Sequence, residues 1–351
     1  MADYKQLAQN VQSRLNPDSE YILERKLFSD LSDAPNDILK YIKLAMRGVE
    51  PEYTEKSKEA GQRVKEHLSS LSNVTFKYQG SVMTNTHIKG ASDIDLLTIC
   101  DKFYGWDRTG IENILNSYTE KTIYSVTQIE KLENEIQYFS PYSGTPLDDL
   151  RKIRLDSENI LQNVYDIFDA SNGKAIKITN KNLRRDVDIV TASWYDNVSS
   201  IINDKGTDYR GIQVYDKNKH TRIPVDYPFL SIKRINERGS ATNDRLKKMI
   251  RFLKHLKADS KQDIDLSSFD INAICYDIDT SKYINQSYHE LVYTIYLQLD
   301  SICKNKSHSD SIVSVDGKEY IFINNDSKLN NLKKLMTELT SVFIDLYTAL
   351  K

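Results

Sequence analysis

The sequence predicts an α+β chain in two parts: a mixed sheet with helices, followed by a lobe built mainly of helices. Three observations carry this. Two β-prone runs, Val74 to Gln79 and Asp93 to Cys100, flank a polar turn and loop that open at Gly80-Ser81. A third run, Arg184 to Val190, again alternates acidic and apolar residues. From Tyr227-Pro228 onward, apolar residues recur mostly at helical spacing. The chain is therefore divided into residues 1–225, the sheet part with its N-terminal helices, and residues 226–351, the helical lobe.

Residues 1 to about 72 read as helical. Leu7, Val11 and Leu15 form one stripe that Asn16-Pro17 breaks, and Asp37, Ile38, Ile42, Leu44 and Met46 begin a second. Pro51 marks a bend or restart, after which Val64, Leu68 and Leu71 continue the apolar face. Beyond the first two strands, Ile111, Ile114 and Leu115 predict a helix, as do Ile129, Leu132 and Ile136. A turn-rich break at Ser140–Pro146 leads into a helix expected over Asp148 to Phe168. Lys174 to Thr179 alternates cleanly and reads as a strand. Gly211 to Asp226 predicts a hairpin turning at Lys217-Asn218-Lys219. The helix over residues 242–257 has Leu246, Met249, Ile250, Leu253 and Leu256 on its apolar side, with Thr242 or Asn243 as its cap. Lys247, Lys248, Arg251, Lys254 and Lys257 line the rest, a pattern that ordinarily means a solvated face. A helix opens at Ser267-Ser268-Phe269, another spans Tyr288 to Cys303, and Leu329 to Leu350 is a closing helix. Between the last two, Ser311–Val315 and Lys318–Ile323 flank Asp316-Gly317 as a hairpin.

The chemistry concentrates in Tyr78 to Cys100, YQGSVMTNTHIKGASDIDLLTIC. Residues two apart on a strand share a face, so Asp93 and Asp95 point together and Ile94 and Leu96 point away. Paired carboxylates repel unless a cation lies between them. Mg2+ is the usual one, a hard ion bound through one or two carboxylates and substrate phosphates. Gly80 lets the backbone come close to a phosphate, and the Ser81 N–H and hydroxyl can bond to it. This arrangement suits attack of an acceptor hydroxyl on the α-phosphate of a metal-bound nucleoside triphosphate. Two-metal phosphoryl transfer also needs a carboxylate beside the attacking hydroxyl. Asp186 and Asp188 both lie on the face opposite Val187 and Ile189; Asp188 sits deeper in the apolar run and is preferred.

The segment GSVMTNTHIKGASDIDLLTIC resembles the G-S…D-x-D signature of the polymerase-β-like nucleotidyltransferases, and within them the bacterial CD-NTases, relatives of cyclic GMP–AMP synthase and 2′-5′-oligoadenylate synthetase. The resemblance covers most of the chain and implies a bilobal core with a long N-terminal spine helix. V-D-I-V around Asp188 matches the family pattern. R-F-L-K-H is similar to the helix that sends a lysine, here Lys254, to the triphosphate. The Ser268-Phe269 pair is similar to one whose hydroxyl touches phosphate and whose ring stacks on the base, with Phe in place of the more usual Tyr. The resemblance implies catalytic and metal-binding Asp93, Asp95 and Asp188. It implies Gly80, Ser81, Lys254, Ser268 and Phe269 around the nucleotide, two Mg2+ ions with Mn2+ as an alternative, and NTP substrates. The product would be a cyclic di- or oligonucleotide second messenger reaching a downstream effector by diffusion, as in bacterial anti-phage (CBASS) signalling. Transfer to a protein, an RNA end or a small molecule ranks lower, because such enzymes are usually shorter and lack so long a helical lobe. A non-catalytic sensor ranks lower still, because all three acidic positions carry Asp.

Composition bounds the rest. A net charge of −2 over 351 residues gives no global basic field for nucleic acid. The abundant Tyr, 22 in all, is read mainly as packing. Cys100, Cys275 and Cys303 are too scattered for a disulfide framework or zinc site and fit a reducing cytoplasm. The start, MADYKQLAQNVQSRL, lacks the apolar core of a signal peptide. No run approaches the roughly 20 apolar residues of a membrane helix. The six His are read as structural or surface residues. The expectation is a cytoplasmic monomer without membrane contact.

Overall fold

The structure, a computed structural model, describes residues 2–15, 36–89 and 93–351. From the N-terminus the chain forms α1 (Tyr4–Leu15), α2 (Asp37–Met46), α3 (Pro51–His67), β1 (Val74–Gln79), β2 (Ile94–Trp106), α4 (Arg108–Asn116), α5 (Tyr118–Lys121), α6 (Val126–Tyr138) and α7 (Pro146–Gln162). It continues with β3 (Phe168–Asp169), β4 (Ile176–Asn180), β5 (Arg185–Asp196), α8 (Val198–Ile202), β6 (Gly211–Asp216), β7 (Thr221–Arg222) and α9 (Pro228–Ala241). The last elements are α10 (Arg245–Asp259), α11 (Ser268–Asp277), α12 (Tyr288–Lys304), α13 (Lys306–Ser311) and α14 (Asp326–Ala349). The Asn16-Pro17 break expected from sequence lies outside the described residues.

The chain divides into two compact units, and neither is continuous in sequence. A sheet unit holds Glu55–Gly80 and Asp93–Lys233; a helical unit holds Met1–Thr54, Ser81–Ser92 and Arg234–Lys351. The chain crosses between the units at Thr54/Glu55, Gly80/Ser81, Ser92/Asp93 and Lys233/Arg234.

In the sheet unit, seven strands run in the order β1-β2-β5-β4-β3, with β6 on the later half of β5 and β7 on β6. Only the β2–β5 pair is parallel. β2 extends six residues past the expected end at Cys100 and absorbs an irregularity between Cys100 and Tyr104. Leu96, Leu97, Ile99, Val187, Ile189 and Ala192 are fully buried, so the two middle strands are covered on both faces. α7 packs on β2, β5 and β6. It stops at Gln162, short of the expected Phe168, which instead enters the short strand β3. From α7 the wholly buried Arg154 donates to the carbonyls of Asn172, Gly173 and Ala175, which fixes the entry to β4. On α3, Gly61 allows close approach to the sheet: a Cβ there would lie 2.8 Å from the Tyr78 ring.

In the helical unit one apolar core gathers α1, α2, α10, α11, α12 and α14. α2 is buried almost all round through Ile38, Tyr41, Ile42, Leu44, Ala45 and Met46, and it contacts α1, α10, α12 and α14. Asn36 caps it by accepting from the Leu39 N–H. α1 is pinned by a bidentate pair from Arg14 to Asp259, both bonds 2.8 Å. Two local expectations change here. The cap of α10 is Asp244, at φ 60° and without a side-chain bond, while Thr242 turns back to the Arg238 carbonyl. The segment around Asp316-Gly317 holds one bridge, Val313 to Tyr320, rather than a hairpin, because α13 takes up the chain through Ser311.

Candidate active site

Strand register assembles the acidic residues of the sheet unit. On the parallel pair β2–β5, Asp95 lies directly opposite Asp188. The row continues to Gln79 on β1 and Lys177 on β4. Side chains opposite one another in a sheet share a face, with strands about 4.8 Å apart. The two carboxylates therefore stand side by side, and Val187 and Ile189, whose side chains point the other way, anchor them from below. Asp186, two residues earlier, faces Thr179. Gly80 closes the approach from β1: with φ +92°, it would place a Cβ 2.6 Å from Asp95 Oδ2.

The partners separate these carboxylates. Asp186 is satisfied, accepting from Thr179 Oγ1 at 2.6 Å and pairing with Lys177 Nζ at 3.2 Å. Asp93 Oδ2 lies 3.0 Å from the same ammonium. Asp188 Oδ1, by contrast, is buried with no hydrogen-bond partner. Burial raises the Asp95 pKa to about 7, helped by the negative charges of Asp188 and Asp93. Burial raises Asp188 as well, against the pull of Lys177. Two crowded, partly desolvated carboxylates, one with an unused lone-pair site, suit a hard divalent cation that would relieve both strains. Among the described residues, no three carboxylate, imidazole or thiolate groups lie together as a ready metal cage, and Asp93 is engaged by Lys177.

The helical unit holds the remaining candidates. Ser81 opens a tight turn closed by Asn85 N–H to Val82 O and Thr86 N–H to Ser81 O, leaving the amides of Ser81 to Thr84 outside those bonds. α10 fastens this turn. Arg251 donates to Asn85 O at 2.6 Å and Met46 O at 2.9 Å, and Lys254, one turn on, donates to Thr86 O at 3.0 Å. Asn236 of α9 adds a bond to Met83 O. Arg251 and Lys254 are thus buried, not part of the solvated face their spacing suggested. Burial lowers Lys254 to about 8. A cavity of about 290 Å³ brings together Ser81, Lys254 and Ser268, with His87, Lys89 and Lys257 also on its wall. Ser267, not Ser268, caps α11, in a capping box with Asp270, and Ser268 stands on the cavity wall. The Phe269 ring packs, partly buried, against the apolar core.

Sequence reasoning did not single out Lys177 or His87. Lys177 is one member of a plain strand alternation, and its meaning rests on the β4–β5 register. His87 is a lone histidine in a loop, and only the fold puts it on the wall of a cavity.

Comparison with known proteins follows the same lines. Residues 233–343 match the family model of the cGAS/DncV-like nucleotidyltransferase C-terminal helical domain. A c-di-GMP synthase of Capnocytophaga granulosa is 51% identical over 99% of each chain. One of a Lachnospiraceae bacterium is 41% identical over 98% of this chain and 99% of its own. The solved structure of a STING-associated CdnE c-di-GMP synthase from Flavobacteriaceae sp. superposes with a TM-score of 0.88 at 40% identity, covering 99% of both chains. The core with its mixed sheet and C-terminal helices is that of these relatives. This chain belongs to the cGAS/DncV-like nucleotidyltransferase family, which includes cyclic dinucleotide synthases.

Proposed function

We propose that the chain, as a monomer, joins two GTP molecules into c-di-GMP with release of two pyrophosphates, using two Mg2+ ions. The product is inferred from the 51% identical relative, and the chemistry rests on one observation: Asp95 and Asp188 side by side on parallel strands, with a buried oxygen left over. Asp95 and Asp188, joined by Asp93, would hold the metal, which when bound supplies charge neutralisation at the transferring phosphate. Asp188 orients the acceptor hydroxyl and withdraws its proton. Gly80 keeps the backbone thin beside Asp95. In the helical unit, Ser81, Ser268 and Lys254 bind phosphate oxygens, with Lys254 as a point charge on the tail, and Phe269 offers its ring to the base. Positioning and neutralisation carry the rate, since the phosphoryl group needs little covalent help. The relative of known structure is STING-associated, which suggests a cyclic-dinucleotide receptor as effector. No helix among the described residues is long and apolar enough to cross a membrane.

The test is mass spectrometry of products from single and mixed NTPs with Mg2+ and no other macromolecule. GTP alone should yield c-di-GMP. A different ring from the mixture corrects the base choice; no product without a second macromolecule overturns cyclisation.

The burial of Lys254 has a pH signature. Bound phosphate favours the ammonium, so above pH 8 nucleotide binding must take up a proton. KM for GTP is expected to climb by up to about tenfold per pH unit above 8, a rise that Lys254→Met should abolish. Folding stability should move the other way. The unfolded chain keeps this proton up to the ordinary value of 10.5, so stability increases between about pH 8 and 10. A KM that stays flat to pH 9.5 would remove Lys254 from the phosphate site.

A further inference from the structure

We propose that Lys177 is a positioning residue that stands in for a cation at the carboxylate cluster. Its ammonium holds Asp93 away from Asp95 and Asp188, and a divalent ion recruits Asp93 only by displacing it. The inference rests on the metal-binding reading of the same three aspartates.

The geometry points to it in three ways. Lys177 lies opposite Asp188 in the β4–β5 register, so it stands on the acidic face beside the metal-candidate pair. Its ammonium does not pair closely with that neighbour. It reaches Asp93 at 3.0 Å and Asp186 at 3.2 Å. These two pairs hold its pKa above the ordinary lysine value, Asp93 contributing most. Asp186 is also fixed by Thr179, so it serves as the standing anchor of the ammonium, while Asp93 is the partner that can leave. Asp93 precedes the first residue of β2, lies outside the strand ladder, and has a side chain 42% exposed. Lys177 is itself about half exposed, at 46% of its side chain, on a flexible stem that can swing into water at little cost. A half-exposed ion pair is weak, which suits a contact meant to give way to a doubly charged ion.

The consequence is competition. Without nucleotide, Lys177 should lower the affinity of the cluster for a divalent cation, and it should do so through Asp93. The test is Mn2+ binding to the nucleotide-free protein, read from the free-Mn2+ electron paramagnetic resonance signal, for wild type, Lys177→Met, Asp93→Asn and the double variant. Lys177→Met should bind Mn2+ about fivefold more tightly than wild type, a factor in the range of one or two exposed ion pairs. In the Asp93→Asn background the same substitution should change the affinity by less than about twofold, because the ligand that Lys177 withholds is gone. Equal tightening in both backgrounds would show a general field effect and overturn the proposal, as would unchanged or weaker binding by Lys177→Met. If wild type binds no Mn2+ and Lys177→Met binds none either, the metal reading itself fails and takes this inference with it. Lys177→Arg, which keeps the charge, should stay at or below wild-type affinity.

Discussion

Asp95→Asn combined with Asp188→Asn should cut cyclic dinucleotide formation by about a thousandfold or more while leaving the protein folded and more stable without metal. The two side chains lie opposite one another on the only parallel pair of the sheet, and both carboxyls are pushed toward the protonated form. Amides of the same shape remove the repulsion and the cost of desolvating charge. The gain in the metal-free protein should be on the order of 1–3 kcal/mol. The same change removes the charge that would hold the metal. Product by chromatography and thermal melting in EDTA check the two halves together. A double variant with turnover within tenfold of wild type would refute this placement of the chemistry. One that is inactive but less stable would show that the carboxylates are structural partners instead.

Gly80→Ala carries the second largest expected effect, a loss of roughly a hundredfold in kcat/KM. The residue sits at φ +92°, where an L side chain is strained by about 1–2 kcal/mol. Its new methyl would also stand 2.6 Å from Asp95 Oδ2, well inside contact distance. Either the Gln79–Gly80 backbone or the Asp95 carboxylate has to move, and Asp95 is the group whose position matters to about an ångström. Melting temperature should fall modestly while activity falls steeply, measured by pyrophosphate release on the purified variant. Activity within fivefold of wild type would mean that the tight approach of Gly80 to Asp95 has no bearing on turnover.

What could be read from sequence, and what could not, follows the range of the forces involved. β1 was legible to the residue, because strand alternation is local, and so were the starts of α2 and α3 at Asp37 and Pro51. Depth in the apolar run and the V-D-I-V match favour Asp188 over Asp186 in the sequence. In the structure Thr179 and Lys177 occupy Asp186, while Asp188 Oδ1 has no partner. Lys177 could not be foreseen, because its contacts join β4 to a residue 84 positions earlier in the chain. The burial of Arg251 and Lys254 is equally non-local. Their helical spacing with Lys247 and Lys248 looks like a wet basic face, and only the loop carbonyls they meet make burial tolerable. Boundaries failed where tertiary pairing overrode propensity, as where Phe168 left its expected helix for the strand β3.

The placement of α2 bears on how such enzymes can be rearranged in evolution. Ile38, Tyr41, Ile42 and Met46 fill the middle of a core whose other walls come from α1 and from residues beyond 234. The C-terminal helices are therefore not a cassette that can be copied into another gene and keep its shape. Inherited without the opening helices, they would present a raw apolar trough to water. Gene fusion and domain shuffling should accordingly spare this architecture, and diversity among its members should accumulate by substitution within an intact chain.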